Sequence, residues 1–163
     1  MIRQHYPARG RARLRQGRSS ETGRIYLVTF TTRDRFPLFT DWSIATVFAR
    51  TLTNRLLWRA SRLHCWVLMP NHWHGLIEPG PQDTLSTLVG RIKACTARAV
   101  NQARATTSSV WADGFHDHAV RKEEDVVDMA RYIVLNPVRA GMVDRAGLYP
   151  FWDAIWIGAG RAP

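Results

Sequence analysis

Two apolar runs, Leu63–Met69 and His72–Glu78, are separated only by Pro70-Asn71. Such runs joined by a two-residue turn read as a β-hairpin, and this hairpin sets the middle of any fold the chain can adopt. Ile25–Thr32 is rich in β-branched and aromatic residues and predicts a strand upstream. Arg33–Phe39 then forms a loop, broken by Pro37. Asp41 or Thr40 can cap a helix from about Ser43 to Ala60, where Ile44, Phe48, Leu52 and Leu56 recur every four residues. After the hairpin, the loop Pro79–Gln82 precedes a helix capped by Asp83 or Thr84. Leu85, Leu88, Val89, Ile92, Cys95 and Ala99 mark its buried stripe.

Downstream of a polar loop at Thr106–Ser109, Phe115–Val120 predicts a fourth strand. Glu123, Glu124 and Asp125 open a third helix, where their charge suits the helix dipole. That helix is expected to stop near Asn136-Pro137, because a residue before proline resists helical geometry. The remaining tail, Gly141–Pro163, is expected to dock as an irregular segment through Trp152 and Trp156. The order is therefore strand, helix, strand, strand, helix, strand, then an added helix. It predicts an α+β fold: a ferredoxin-like βαββαβ antiparallel sheet with both helices on one face, leaving the other for a ligand or the C-terminal helix.

At 163 residues the chain suits one domain with a real core. No apolar run reaches membrane-spanning length, and no hydrophobic signal core argues for export. Cys65 and Cys95 lie far apart outside any paired motif and read as buried reduced thiols, so a cytoplasmic setting is expected. The net charge of +10 calls for a polyanionic partner, and 21 of the 23 basic residues are arginine. The planar guanidinium fork grips phosphate through two hydrogen bonds and stacks on bases, which points to nucleic acid. Charge concentrates in residues 1–24, where seven arginines stand against Glu21. This arm is expected to be flexible alone and to order on a phosphate backbone, through Arg9, Arg11, Arg13, Arg15 and Arg18 among others. Arg91 and Arg98, seven apart on the second helix, form a further candidate contact surface.

The sharpest local feature is His72-Trp73-His74. Alternate strand residues share a face, so both imidazoles point one way and Trp73 packs into the core behind them. Their Cα atoms lie about 6–7 Å apart, close enough to converge on one metal ion. A second alternate pair, His116 and His118, admits three roles: a competing metal site, a DNA contact, or structural histidines at a sheet edge. Asp117 and His118 are kept as candidate neighbours of the active site. On the third helix Tyr132 and Asn136 share a face, one turn apart. A neutral phenol attacks weakly until its oxyanion is stabilised, and a nearby metal can polarise the scissile phosphate. The amide oxygen of Asn136 suits a hard divalent ion. The competing reading makes Tyr132 a rim residue and Asn136 a helix-ending cap.

Four segments carry a resemblance: Gly23–Thr31 (GRIYLVTFT), Cys65–Leu76 (CWVLMPNHWHGL), Gly114–Arg121 (GFHDHAVR) and Ala130–Val143 (ARYIVLNPVRAGMV). In this order they resemble the REP-associated tyrosine transposases of the single-tyrosine HUH superfamily, which are insertion-sequence transposase-like proteins. The resemblance implies that His72 and His74 flank the bulky Trp73 as metal ligands, that Asn136 is the third ligand, and that Tyr132 is the nucleophile. It also implies Mg²⁺ or Mn²⁺, no small-molecule organic cofactor, and a single-stranded or hairpin DNA substrate such as a repetitive extragenic palindrome. Cleavage would leave a covalent 5′-phosphotyrosine link and a free 3′-hydroxyl. The expected organisation is an arm (1–24), a catalytic domain (25–150) and a tail (151–163), acting as monomer or homodimer on bacterial nucleoid DNA. Two alternatives stay open: a catalytically silent hairpin-binding regulator, and a metal-dependent hydrolase in which water attacks and Tyr132 is incidental.

Overall fold

A computed structural model describes residues 23–121 and 126–156. Its first strand, β1 (Tyr26–Thr31), is followed by helices α1 (Trp42–Leu52) and α2 (Arg55–Trp58). The hairpin is β2 (Arg62–Met69) and β3 (His72–Glu78), and α3 (Leu85–Ala103), β4 (His116–Ala119), α4 (Val126–Val134), α5 (Asn136–Arg139) and β5 (Trp152–Ala154) complete the order. The strands form one sheet, β4-β1-β3-β2-β5, and every pairing is antiparallel. This is the expected α+β arrangement with one strand more.

Tyr26, Val28 and Phe30 of β1, Trp73 and Ile77 of β3 and Leu68 of β2 share the face covered by α1 and α3, and all are buried. Phe30 stacks on Trp73 at 4.8 Å and meets Trp111 edge-on at 4.7 Å, geometries that aromatic pairs favour. The opposite face carries α4, whose Ala130 carbonyl lies 3.8 Å from the Cys65 thiol. Among the described residues, helices cover both faces of the sheet near β2, and the β1–β4 side of the second face is more open.

Three expectations are corrected. The first helix does not run to Ala60. Thr53 closes α1, and the Asn54 side chain accepts from the Leu56 backbone N–H at 3.0 Å, starting a separate helix. Leu56 therefore leaves the apolar stripe and stands 84% exposed, while Leu57 and Trp58 are buried in its place. On α3 the cap is Thr84, and the stripe continues through Thr96 and Val100, with Cys95 only half-buried. The third helix does stop where expected, since α4 ends at Val134 and Leu135 leaves helical geometry, but the separate short helix α5, with proline in its first turn where its missing N–H costs little, was not anticipated. Nor is the tail wholly irregular, since Trp152–Ala154 pairs with Val67–Cys65 as β5. The Tyr149 hydroxyl donates to the Leu68 carbonyl at 2.6 Å and anchors that return. Glu123, Glu124 and Asp125, expected to open the third helix, lie outside the described residues.

Candidate active site

Strand register determines which side chains meet. His74 pairs with Thr29 on one side and Val67 on the other, while His72 pairs with Thr31 and Met69. Both imidazoles occupy the face that carries α4, with ring centroids 4.7 Å apart and planes nearly perpendicular. Trp73, on the opposite face, is fully buried. Its indole lies across Gly75, where any Cβ would collide with the ring. The glycine after the second histidine is therefore part of how Trp73 is seated, and through it the histidine strand.

Each imidazole is held by its Nδ1. That of His74 lies 2.6 Å from the Thr29 hydroxyl, and that of His72 lies 2.7 Å from Oδ1 of Asn71. An amide oxygen only accepts, so Nδ1 of His72 carries its proton and Nε2 keeps a lone pair. Burial lowers the pKa of His72, with the charge of Arg35 adding to it. His74 is pushed down to about 3 by burial first, then by His72 and Arg139. Both rings are thus neutral near pH 7, the form that can bind a cation, and the hydrogen bonds orient them as such ligands are commonly oriented.

Among the described residues no group of three or more His, Cys, Asp or Glu is placed to hold a metal. Among the described residues a third donor would have to be of another kind, and the Asn136 side chain is a candidate by its chemistry. Its amide nitrogen donates to the carbonyls of Ile133 at 2.9 Å and Tyr132 at 3.4 Å, so Oδ1, the harder atom, is the end not used in these bonds.

Helix α4 packs on the sheet through buried Ala130 and Ile133, leaving Tyr132 56% exposed. The Arg139 guanidinium lies 3.8 Å from the centre of the Tyr132 ring and donates to the Tyr132 carbonyl at 2.7 Å. The charge of Arg139 also lowers the pKa of His74, after burial and His72, so this arginine acts electrostatically on that imidazole as well as stacking on Tyr132. Sequence reasoning missed it. It follows Tyr132 by seven residues but lies beyond the break at Leu135, on the separate short helix α5, which the proline rule did not predict. Thr29 and Asn71 were missed as well. Asn71 adjoins His72 in the turn, whereas Thr29 meets His74 only through the β1–β3 register.

Of the other candidates, Arg9, Arg11, Arg13, Arg15 and Arg18 lie outside the described residues. Arg98 is exposed on α3, but Arg91 is not available beside it. Its guanidinium clasps both carboxylate oxygens of the largely buried Asp83, at 2.7 and 2.5 Å, and its Nε donates to the Leu57 carbonyl. That fork is already committed to holding α3 against α2. His116 and His118 pair with Thr29 and Leu27, so they share the sheet face of His72 and His74. Asp117 pairs with Val28 and belongs to the opposite face.

The family model for IS200-like transposases matches residues 21–136. A REP-associated tyrosine transposase of Escherichia coli (strain K12) is 29% identical over 94 residues, covering 57% of this chain and 54% of that protein. The chain spans about half the length of the curated relatives it matches. Among solved structures, a REP-associated tyrosine transposase bound to a REP hairpin aligns with TM-score 0.64 and 24% identity, over 83% of this chain and 79% of that one. A Deinococcus radiodurans R1 protein described as a transposase aligns with TM-score 0.53 and 20% identity, over 74% and 95% respectively. These two likenesses establish the shared fold.

Proposed function

Because this chain belongs to the IS200-like transposase family, we propose that it is a metal-dependent enzyme that nicks and rejoins single-stranded DNA beside a hairpin, using Tyr132 as the nucleophile. The observation that carries the reading is the neutral His72/His74 pair, each ring held at Nδ1, linked through Arg139 to the helix of Tyr132. His72 and His74 through Nε2, with Asn136 through Oδ1, would hold the divalent ion; this donor set accepts Mg²⁺ or Mn²⁺. When bound, such an ion neutralises charge on the phosphate under attack.

The chain's own groups do the rest. Tyr132 Oη forms a bond to phosphorus, the P–O3′ bond breaks, the phenol proton passes to water, and the departing 3′-oxygen takes up a proton. The product is a 5′-phosphotyrosine link and a free 3′-hydroxyl, and reversal by another 3′-hydroxyl joins strands. Arg139 holds a fixed positive charge over the Tyr132 ring, where negative charge develops. Trp73 and Gly75 set the face the histidines present, while Thr29 and Asn71 set their rotation. The arginine arm and Arg98 would track phosphates without reading sequence. A hairpin substrate is favoured by the REP-hairpin complex of the structural relative, and the enzyme would meet it on bacterial DNA in the cytoplasm.

The test is a labelled hairpin library with a single-stranded arm, incubated with Mn²⁺ and run on a denaturing gel. The expected result is label at protein mass, absent with chelator and absent in Tyr132→Phe. Cleavage that persists in Tyr132→Phe without protein-bound label would transfer the reaction to water. Binding with no cleavage under any divalent ion would leave a hairpin-binding regulator.

A further inference from the structure

At the end of β1, beside the histidine site, the chain makes a loop whose geometry the nicking reaction does not explain. Asp34 and Arg35 both hold left-handed backbone conformations, φ 55° and 54°, which cost energy for residues with a Cβ. Immediately after them Phe36 points outward and is 62% exposed, although Leu38 and Phe39 next to it are buried. The strain is held in place by hydrogen bonds. The Thr32 hydroxyl donates to the Phe36 carbonyl at 2.7 Å, and the backbone N–H of Phe39 donates to the Pro70 carbonyl at 2.9 Å. The Asn71 side chain donates to the Arg35 carbonyl at 3.4 Å while its oxygen holds His72. One amide thus ties this loop to the candidate metal site.

Phe36 lines a cleft of about 340 Å³ with Arg33, Arg104, Ser108 and Ser109. That is the size of small-ligand sites, and its lining combines the exposed aromatic Phe36 with two arginines and two serines against a single carboxylate, that of Asp34, so basic residues outnumber acidic ones. Arg33 is paired to Asp113 at 3.2 Å, but that pair is exposed and worth little, so the guanidinium can exchange its carboxylate for a phosphate. An apolar partner is disfavoured by the surrounding charge. A base with its phosphate matches both parts of the wall, since every base offers a face for stacking and every nucleotide an anion.

We propose that this cleft holds one unpaired nucleotide flanking the cleavage site, its base stacked on Phe36 and its phosphate gripped by Arg33 and Arg104. The proposal rests on the reading of the protein as acting on single-stranded DNA. It makes the Arg33–Phe36 loop a substrate-positioning element: the loop sits at the same end of the sheet as His72, so a strand leaving the site over the end of β1 enters the cleft.

The experiment measures binding of the full chain to a hairpin with a single-stranded arm, in which each arm position is made abasic in turn. With wild type, one position is expected to weaken binding about tenfold, the scale of removing one base–aromatic stack. Phe36→Ala should bind the intact arm about tenfold more weakly and show no further loss at that abasic position, while Phe36→Tyr retains both affinity and sensitivity. Arg104→Ala should weaken binding and keep the base dependence, which gives a second variant independent of the loop. Equal abasic profiles for wild type and Phe36→Ala would overturn the inference. If wild type forms the covalent adduct while Phe36→Ala binds and reacts unchanged, this inference fails and the nicking reading stands. If wild type shows the base-dependent loss yet forms no adduct, the nicking reading fails and the cleft is supported.

Discussion

At the residue scale the site depends on side chains that touch the imidazoles rather than on the imidazoles alone. Thr29 is the clearest case, because its hydroxyl is the partner of His74 Nδ1 across the strand pair. Thr29→Val keeps the β-branched shape that suits a strand and removes only the hydrogen bond. Mn²⁺ affinity, measured by calorimetric titration, should fall about tenfold, the lower end of what losing such a supporting bond costs, and Thr29→Ser should restore it. An unchanged affinity in Thr29→Val would mean that burial alone orients the ring. Arg139 acts in a related way. Nothing in its sequence neighbourhood singles it out, yet it stacks on Tyr132 and its charge reaches His74.

At the scale of elements, two packing devices keep the site strands and helices in place. In β3 the indole of Trp73 occupies the space over Gly75, so Gly75→Ala forces the ring or the strand to move. Overpacking of this kind should cost about 1–3 kcal/mol in urea unfolding, and the histidine pair should lose metal affinity with it. On α3 the pairing of Arg91 with Asp83 joins helix to loop. The guanidinium lowers the pKa of the Asp83 carboxyl, chiefly through their hydrogen bonds. Arg91→Met would strand a carboxylate that is only 6% exposed, at a cost of about 3 kcal/mol, and Asp83→Asn in the same chain should recover part of it. The salt dependence of DNA binding should not change in Arg91→Met, whereas Arg98→Ala should flatten it. A flattened dependence in Arg91→Met would return Arg91 to the DNA surface.

For the whole molecule the dominant quantity is charge. The excess of +10 is spread over the domain and concentrated in residues 1–24. Replacing Arg9, Arg11, Arg13, Arg15 and Arg18 by glutamine should reduce the slope of log affinity against log salt. The reduction on single-stranded DNA should be about 0.7 for each phosphate that the arm no longer neutralises. Covalent adduct formation at saturating DNA should survive, since none of these arginines is among the groups proposed to hold the ion or to act at Tyr132. An unchanged slope would show that the arm neutralises no phosphate.

What local pattern encodes was legible in the chain. Apolar periodicity and turn chemistry mark β1, the hairpin, α3 and β4, and the alternation of His72, Trp73 and His74 assigns their faces before any tertiary neighbour is known. One sequence-level inference failed because the stripe through Leu56 extended a local rule past the point where other interactions decided, whereas the stop before Pro137 held but gave no sign of the new short helix beyond it. Asn54 captured a backbone N–H and restarted the helix, and Pro137 fell in a first turn where its missing donor is harmless. The strand β5 escaped notice because three residues carry too little periodicity, and only pairing with β2 makes them a strand. The partners of the imidazoles belong to the same class. Thr29 lies 45 residues from His74, and no spacing rule joins them. Side-chain type and face are short-range properties and can be read along the chain. Register, burial and the partner across a sheet are long-range ones, and they exist only once the strands have paired.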